Sequence, residues 1–272
     1  MSLSGGSAFG LASIGALSVL EREGFRPDCV GGNSMGAIIG GVYALGHPLE
    51  EIIEMARYIR LRKMVRVTGG MLTQGLHGGW LRPDLAKILR PIVGDARIGD
   101  CTIPFVCTAG RVKKPVPWHR IVRPGFTTMF LDCIEPHVFP PETKLLDAML
   151  ASSAIPTMFE PVRIGTDSFI DLCNFGAIPA PVLREFQKPD VVISTDTTSD
   201  MYAWMWPVLP KSWREFIAAG QDQVRDDLKS ADVVITPHLT GNQFRFDKST
   251  DFIAAGKAAA EKKLPEIKAL LS

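Results

Sequence analysis

Segments with helical and strand-like patterns alternate along this chain. Residues 9–23 repeat apolar side chains at helical spacing and end before Gly24, a typical C-terminal cap, and Met35–Leu45 is a second helix of mostly small residues. Pro48 opens a third helix, which we expect to reach about Leu61. Further helices are predicted at residues 145–152, 213–229 and 250–271. Short apolar runs predict strands at residues 28–32, 103–109, 168–171, 190–194 and 232–236.

The strand pattern indicates a sheet that is buried on both faces. Three of the last four predicted strands are continuous apolar runs, which is typical of parallel strands covered by helices on each side. The 272 residues contain no repeat, charged block or linker that would divide them. We therefore predict one domain over residues 1–272, of the three-layer α/β/α class with a mostly parallel central sheet. Only residues 1–4 precede the first glycine-rich loop, so we expect a first strand that is very short or clipped.

Charge and cysteine content narrow the range of functions. The chain has 30 Lys and Arg against 29 Asp and Glu, so it lacks the positive charge that nucleic-acid binding through bulk electrostatics requires. Its five cysteines are scattered and include no C-x-x-C pair, which predicts reduced thiols and neither a disulfide framework nor a zinc site. No apolar run reaches the roughly 18 residues of a membrane span. We expect a cytoplasmic protein, peripheral to membranes at most, that uses no metal or cofactor; whether it forms a homo-oligomer is left open.

The motif Gly32-Asn33-Ser34-Met35-Gly36 lies between a predicted strand and a predicted helix. In this setting G-x-S-x-G forms a nucleophile elbow: the two glycines permit a sharp turn, and Ser34 presents its hydroxyl at the helix N-terminus, where developing negative charge is stabilised. The alternative is a glycine-rich helix start without chemistry. The strand-turn-helix context favours the elbow, so Ser34 is the predicted nucleophile.

Gly5, Gly6 and Ser7 begin a second glycine-rich loop, directly before the first helix. Backbone N–H groups in such a loop suit either a phosphate or an oxyanion. A dinucleotide site is the weaker alternative, because Ser7 occupies the third position of the motif and the next acidic residues follow too closely. We predict that the loop forms an oxyanion hole beside Ser34.

A base for Ser34 has to come from another part of the chain. A Ser–Asp–His order is present, with His238 after Asp190 and Asp196. The α/β-hydrolase fold that uses this order places several strands before its serine, whereas at most two precede Ser34. All five histidines also stand beside Pro, Trp or Gly in loop-like settings. We therefore expect surface or structural roles for the histidines and disfavour a histidine triad.

Together these features resemble the patatin-like phospholipase family, which includes the catalytic domain of cytosolic phospholipase A2. The order of a glycine-rich loop, a helix and an early G-x-S-x-G elbow is the same. Residues 151–156 (Ala-Ser-Ser-Ala-Ile-Pro) and 159–162 (Phe-Glu-Pro-Val) are similar to the segment before that family's catalytic aspartate, which Phe169-Ile170-Asp171 then supplies, with Ile178-Pro179 at the expected distance. Residues 232–237 and 256–260 are similar to its closing strand and helix.

The resemblance implies a Ser–Asp dyad, with Ser34 as nucleophile, Asp171 as base and the oxyanion loop at Gly5, Gly6 and Ser7. The expected function is hydrolysis of lipid acyl esters through an acyl-Ser34 intermediate, as a phospholipase A, lysophospholipase or carboxylesterase. Lipid or lysophospholipid is the implied substrate, and no cofactor is implied. Two alternatives stay open: a patatin fold with weak turnover that binds lipid or protein, and an acyltransferase.

Two of the motifs depart from the family pattern. Leu172 and Cys173 follow Asp171, where the family has Gly and then Gly or Ala. These side chains would either crowd the approach of Asp171 to Ser34 or demand a backbone conformation that they tolerate poorly. We expect a more ordinary backbone, with the Asp171 side chain displaced or rotated. In the first loop, Ser7 replaces a glycine and Phe9 replaces a basic residue.

Residues 201–206 (Met-Tyr-Ala-Trp-Met-Trp) concentrate aromatic and methionine side chains, with Trp213 nearby. Trp and Tyr favour membrane interfaces and Met adapts to varied apolar ligands, so one interpretation is a lipid-facing flap. The other, which the sequence slightly favours, is packing in the core or in a dimer. Residues 76–81, which include Trp80, are a weaker candidate for the same flap.

Overall fold

The computed structural model describes residues 1–59, 85–114 and 123–271, together with the backbone of two short strands between the first two ranges. The strands are β1 (Ser2–Leu3), β2 (Val30–Gly32), β3 (Val65–Val67), β4 (Leu81–Pro83), β5 (Phe105–Val112), β6 (Ile134–Val138), β7 (Val162–Ile164), β8 (Asp167–Ile170), β9 (Ile193–Thr195) and β10 (Val233–Ile235). The helices are α1 (Ala12–Arg22), α2 (Met35–Leu45), α3 (Leu49–Tyr58), α4 (Leu85–Val93), α5 (Phe126–Cys133), α6 (Leu145–Ser152), α7 (Ala180–Gln187), α8 (Lys211–Leu228) and α9 (Ser249–Leu271). Short 3-10 helices include Ser7–Leu11, Cys173–Phe175, Ala203–Val208 and Phe246–Lys248.

In the described part of the chain, eight strands form one sheet in the order β10-β9-β1-β2-β5-β8-β7, with β6 also paired to β5. The five strands from β10 to β5 are parallel, whereas β6, β8 and β7 join antiparallel. Successive residues of β5 point to opposite faces. Phe105 and Cys107 pack with α2 and α6, and Val106 packs with α7 and α8. The predicted α/β class, with a mostly parallel sheet between helices, is confirmed.

Most of the predicted elements are present, but several elements of the structure were not predicted. The strand β6 has no apolar run, because its five residues include Glu135, Pro136 and His137. The helices α4, α5 and α7 and the strand β7 were also not predicted. Helix α3 ends at Tyr58, and residues 60–61 of its predicted span and residues 76–80 of the second apolar segment lie outside the described residues. None of the helices described has both the length and the apolarity needed to cross a bilayer.

The C-terminal helix α9 packs on α1 with its backbone in contact. A Cβ on Gly256 would lie 1.8 Å from the carbonyl oxygen of Ala12, so only glycine permits this approach. At the start of the same interface, the Phe9 ring contacts the Phe252 ring edge-on, with centroids 5.0 Å apart. Phe9 is fully buried. Phe9, which replaces the family's basic residue, is therefore a core residue that anchors the glycine-rich loop to α9.

Candidate active site

Ser34 stands at a tight turn between β2 and α2. Its φ of 53° and ψ of −122° lie in a region that residues other than glycine rarely adopt. A Cβ on Gly36 would lie 2.1 Å from the carbonyl oxygen of Leu3. A Cβ on Gly32 would lie 2.4 Å from the carbonyl oxygen of Gly36. Both glycines are therefore required for the turn. Ser34 is the N-cap residue of α2, but its hydroxyl makes no capping hydrogen bond. The strained turn is the arrangement that the G-x-S-x-G motif predicts.

Two serines at the end of α6 hold the backbone of Ser34. The Ser34 N–H donates to Oγ of Ser152 over 2.8 Å, and the Ser153 hydroxyl donates to the Ser34 carbonyl oxygen over 3.2 Å. Ser152 is completely buried. The sequence identified residues 151–156 by resemblance alone, and their contact with the elbow was not predicted. Its only sequence signal is two adjacent small hydroxyl residues at a helix end.

Asp171 follows β8 directly and lies beside Ser34. Its backbone N–H donates to the carbonyl oxygen of Ala154 over 2.9 Å, and its Oδ1 accepts the N–H of Cys173 over 2.7 Å. Asp171 is 3% exposed. Burial raises the pKa of its carboxyl to about 6, although hydrogen bonds from the Ser34 side chain and the Cys173 N–H act in the opposite direction. The fold therefore brings together the two residues predicted as a dyad, and gives the carboxyl more basic character than a solvated aspartate has.

The backbone after Asp171 differs from the sequence-based expectation. Leu172 has ordinary helical angles, with φ −70° and ψ −7°, but Cys173 has a φ of 53°. The expectation of an ordinary backbone is therefore wrong at Cys173, which keeps a left-handed conformation despite its Cβ. The Leu172 side chain packs away from Ser34, in a cluster that contains Phe130 and Phe216. Leu172 stands where the family has glycine, but it does not crowd Asp171 in the structure.

The glycine-rich loop lies against the elbow. A Cβ on Gly5 would lie 3.1 Å from Cβ of Ser34, and Gly6 and Ser7 both have positive φ, 140° and 53°. The N–H of Gly5 donates to the carbonyl oxygen of Ala177 over 2.9 Å, so Gly5 shapes the loop without offering a free donor. The N–H groups of Gly6 and Ser7 have no acceptor among the described residues. These two groups are the available donors for an oxyanion next to Ser34.

The histidine alternative has no support in this geometry. The His238 side chain is 88% exposed and lies 3.8 Å from Asp200, and it lines none of the pockets around Ser34. Of the acids considered with it, Asp190 is exposed and Asp196 accepts hydrogen bonds from Thr198 and Ser199. His47 and His137 are also absent from these pockets, and the two remaining histidines lie outside the described residues.

Three neighbouring pockets share lining residues, and two of them reach Ser34. The nucleophile pocket, of about 390 Å³, contains Ser34, Asp171 and the loop residues Gly5, Gly6 and Ser7. A second pocket, here called the Ile38 pocket, has a volume of about 530 Å³ and also reaches Ser34. Its lining is mainly apolar and includes Met35, Ile38, Leu85, Leu150 and Phe246. A third, here called the Phe216 cavity, has a volume of about 840 Å³ and is lined mainly by aromatic and apolar residues, among them Phe126, Phe130, Met205, Trp213 and Phe216. No charged side chain of the described residues lines either apolar pocket.

The aromatic segment at residues 201–206 is at the edge of these pockets. Trp204 and Trp206 are 46% and 40% exposed, so the alternative that they pack in the core is wrong. On the inner side of the same segment, Tyr202 lines the nucleophile pocket and the Phe216 cavity, and Met205 lines the cavity. The segment is tied to the body of the protein by a 2.6 Å hydrogen bond from Nε1 of Trp204 to Oε1 of Gln243. It therefore covers the site while exposing two indole rings.

Comparison with known proteins gives matches to one family. The family model described as patatin-like phospholipase matches residues 1–171, more than half of the chain. An uncharacterised NTE family protein of Mycobacterium tuberculosis is 32% identical over 110 residues, which cover 40% of this chain and 29% of that protein. Lysophospholipase NTE1 of Kluyveromyces lactis is 29% identical over 124 residues, which cover 42% of this chain and 8% of that protein. The solved structure of VipD from Legionella pneumophila has a TM-score of 0.44 at 12% identity, covering 97% of this chain and 66% of VipD.

The fold and the turn at Ser34 define an α/β protein with a G-x-S-x-G serine elbow. Specifically, the chain belongs to the patatin-like phospholipase family. This confirms the resemblance drawn from the motifs. The match spans less than a third of the length of the mycobacterial relative and less than a tenth of the length of the yeast enzyme.

Proposed function

We propose that this protein is a serine lipid acyl hydrolase with phospholipase A, lysophospholipase or carboxylesterase activity. The observation that carries the proposal is the pairing of Ser34, on a strained elbow, with the buried carboxyl of Asp171. An ordinary aspartate, with a pKa of about 4, is a weak base for an alcohol. A pKa of about 6 brings Asp171 closer to the working pH, where general base catalysis is more effective.

In the acylation step, the Ser34 oxygen attacks the carbonyl carbon of the ester while the Asp171 carboxylate accepts the Ser34 proton. The carbonyl oxygen becomes an oxyanion that accepts hydrogen bonds from the N–H groups of Gly6 and Ser7. When the tetrahedral intermediate collapses, the bond to the leaving oxygen breaks and Asp171 gives that oxygen its proton. The products of this step are an alcohol and an acyl-Ser34 ester.

In the deacylation step, water takes the place of the alcohol. Asp171 accepts a proton from the water, whose oxygen attacks the acyl carbon. The Ser34–acyl bond then breaks, Ser34 recovers its proton from Asp171, and a fatty acid leaves. Each atom of the site thus returns to its starting state.

Lipid substrates are supported by the surroundings of the dyad and by the family. The two pockets that adjoin the nucleophile pocket are mainly apolar and uncharged in their described lining, which suits hydrocarbon chains. One relative carries the name lysophospholipase. The exposed Trp204 and Trp206 beside the pockets suit peripheral contact with a lipid surface, because indole rings favour membrane interfaces. The five cysteines are free, which suits a reducing compartment, so we infer a cytoplasmic protein. We also infer that the 272 residues form one domain.

Labelling with a fluorophosphonate probe tests the proposed function. We expect stoichiometric labelling of the wild type and none of Ser34→Ala, together with release of fatty acid from lysophosphatidylcholine. Folded protein that binds lipid but takes up no label would support the binding module instead. Product that forms only when an acceptor alcohol is added would support an acyltransferase.

A further inference from the structure

The two free donors of the glycine-rich loop, the N–H groups of Gly6 and Ser7, are each aimed by the carbonyl group of the same peptide. The peptide bonds of the loop are trans, so the N–H of a residue points opposite to the carbonyl oxygen of the residue before it. The Gly6 oxygen, which belongs to the peptide of the Ser7 N–H, accepts the N–H of Phe9 over 3.0 Å. The turn of the loop itself therefore sets the direction of the Ser7 donor.

The direction of the Gly6 donor is set by a residue from outside the loop. The Gly5 oxygen, which belongs to the peptide of the Gly6 N–H, accepts the hydroxyl of Thr197 over 2.5 Å. Thr197 is 192 positions further along the chain, two residues after β9, and is 1% exposed. Its hydrogen bond thus holds the peptide between Gly5 and Gly6 from the side opposite to the Gly6 N–H.

The Gly5–Gly6 peptide has little rigidity of its own. Neither residue has a Cβ, and Gly6 has a φ of 140°, in a region that only glycine adopts readily. The Thr197 oxygen fills the space that a side chain at Gly6 would take, since a Cβ on Gly6 would lie 2.5 Å from it. Because two adjacent glycines let the peptide between them rotate, a bond from outside is needed to fix the direction of the Gly6 N–H.

Ser4 completes the arrangement. Oγ1 of Thr197 gives its one proton to the Gly5 oxygen, so across the 2.9 Å contact between the two hydroxyls Ser4 is the donor and Thr197 the acceptor. The Thr197 N–H in turn donates to Oγ of Ser4 over 3.0 Å. Ser4 and Thr197 follow the adjacent parallel strands β1 and β9, and both are buried. Hydrogen bonds in such a chain polarise one another, which makes the Gly6 N–H a stronger donor.

We propose that Thr197 is a positioning residue of the oxyanion hole, whose hydroxyl aims the Gly6 N–H at the oxyanion formed on the substrate carbonyl. Thr197 lines none of the three pockets, so it acts through the Gly5–Gly6 peptide and not by touching the substrate. Its effect belongs to the transition state, where negative charge develops, and not to binding of the uncharged ester. This inference rests on the proposed hydrolase function and adds to it a residue that the sequence did not single out.

Two substitutions at Thr197 separate the hydroxyl from the size of the side chain. Thr197→Val removes the hydroxyl and keeps the bulk, whereas Thr197→Ser keeps the hydroxyl. Loss of a whole oxyanion donor lowers kcat by about 10²–10³. In Thr197→Val the donor is present but misdirected, so we expect kcat on p-nitrophenyl butyrate to fall by about ten- to a hundredfold, with KM little changed. Thr197→Ser should keep a kcat close to that of the wild type.

Thr195→Val is the matched control. Thr195 is also 1% exposed, and its hydroxyl contacts the Ser13 hydroxyl at 2.9 Å and accepts the N–H of Ser4 at 3.3 Å. It lines none of the three pockets. The substitution therefore removes a buried hydroxyl from the same region without removing a bond to the Gly5–Gly6 peptide. We expect a lower Tm but a kcat close to that of the wild type.

Titration with a fluorophosphonate separates positioning from a loss of folded protein. In Thr197→Val the final labelling of Ser34 stays stoichiometric, while the rate of labelling falls together with kcat/KM. A trifluoromethyl ketone gives a second measure, because Ser34 adds to its carbonyl group and forms an oxyanion. Its Ki should rise in Thr197→Val by about the same ten- to a hundredfold factor by which kcat falls. Thermal melting checks the fold of each variant, and Thr197→Ala replaces Thr197→Val if that variant does not fold.

Other outcomes overturn the inference. If the folded variant without the hydroxyl keeps the kcat and the Ki of the wild type, the Gly6 donor does not need Thr197. If Thr197→Ser loses as much kcat as Thr197→Val, or if the labelled fraction falls in place of the labelling rate, Thr197 acts through packing alone. These failures differ from a failure of the proposed function, in which wild-type protein neither hydrolyses p-nitrophenyl butyrate nor takes up a fluorophosphonate at Ser34.

Discussion

The hydroxyl oxygen of Ser152 accepts a hydrogen bond of 2.8 Å from the backbone N–H of Ser34. This bond joins the last residue of α6 to the nucleophile, whose φ of 53° is strained. Because the site is buried, water has little access to replace Ser152 as acceptor. The bond therefore stabilises the turn that presents the Ser34 hydroxyl.

Ser152→Ala is expected to weaken both the fold and the catalysis. A buried N–H without an acceptor costs about 1–3 kcal/mol of unfolding free energy. A small displacement of Ser34 lowers kcat by about ten- to a hundredfold, with a smaller change in KM, because positioning matters most in the transition state. Denaturant unfolding and steady-state kinetics on a short ester measure the two effects.

Ser153→Ala is the matched control for that prediction. The Ser34 carbonyl oxygen also accepts the N–H groups of Ala37, at 3.0 Å, and Ile38, at 3.2 Å. Removing the Ser153 hydroxyl therefore leaves no buried group without a partner. We expect a smaller loss of kcat than in Ser152→Ala. Equal losses in the two variants contradict the role assigned to Ser152.

Asp171→Asn is expected to reduce kcat nearly as much as Ser34→Ala, to within about tenfold, because residues that act as one unit are not additive. The control is His238→Ala, since that side chain is 88% exposed. Comparing kcat/KM of the three folded variants on one ester measures the effect. A loss in His238→Ala as large as that in Ser34→Ala disproves the dyad and restores the histidine triad.

The pH dependence of catalysis follows from the pKa of Asp171. The base has to be ionised, so kcat/KM on a neutral ester should rise with pH below about 6 and level off above it, where the carboxyl pKa of about 6 has been passed. The measurement is kcat/KM on p-nitrophenyl butyrate from acidic to neutral pH. A rising limb centred well above neutral pH, or none at all, is incompatible with Asp171 as the base.

Stability should depend on pH in the opposite sense. Burial raises the folded-state pKa of Asp171 from 3.8 to about 6, so the folded state binds this proton more tightly than the unfolded state. The stability contributed by the protonated carboxyl is lost as pH rises from about 4 to about 6, a cost of about 3 kcal/mol. Asp171→Asn cannot ionise, so its Tm should exceed that of the wild type by several degrees at pH 8. At pH 4 the two should melt nearly together, and a constant difference across this range would exclude the linkage.

Leu172→Gly and Cys173→Gly should behave differently, although the family has glycine or a small residue at both positions. Leu172 has an ordinary backbone and is 5% exposed in the Phe130–Phe216 cluster, so its removal costs about 2–5 kcal/mol without a gain in activity. Cys173 has a φ of 53°, and glycine at this position relieves about 1 kcal/mol of strain. Thermal melting and kcat/KM test the pair. A faster Leu172→Gly enzyme would mean that Leu172 does hinder Asp171 after all.

The Cys173 thiol itself should not compete with Ser34 as a nucleophile. Cys173 is half-buried, and the desolvation of its thiol, together with the nearby Asp171, raises the thiol pKa well above the ordinary value, so the thiol stays protonated at neutral pH. A thiol reagent should therefore react slowly with Cys173 in the folded protein. This prediction is checked by peptide mapping after treatment with iodoacetamide, with unfolded protein as the reference.

The sequence by itself determined the features that depend on near neighbours in the chain. The spacing of Gly32, Ser34 and Gly36 between a strand and a helix predicted the elbow, because the steric demand of that turn is local. The order of apolar runs predicted an α/β class, because a parallel strand that is buried on both faces is a continuous apolar run. The pairing of Ser34 with Asp171 came only from a family resemblance, since they are 137 positions apart in the chain and the strands from β3 to β8 lie between them.

The tertiary structure alone decided the features that depend on which distant groups meet. Ala177 takes the N–H of Gly5 and leaves those of Gly6 and Ser7 as the loop's free donors. The pairing of β8 with β5 places Asp171 in an apolar setting, and that burial sets its pKa. Trp204 could have been a core residue by composition, yet it is exposed because Tyr202 and Met205 occupy the inner side of its segment. Burial, strain and hydrogen-bond partners depend on which distant residues meet when the layers pack, so the local spacing of residues does not predict them.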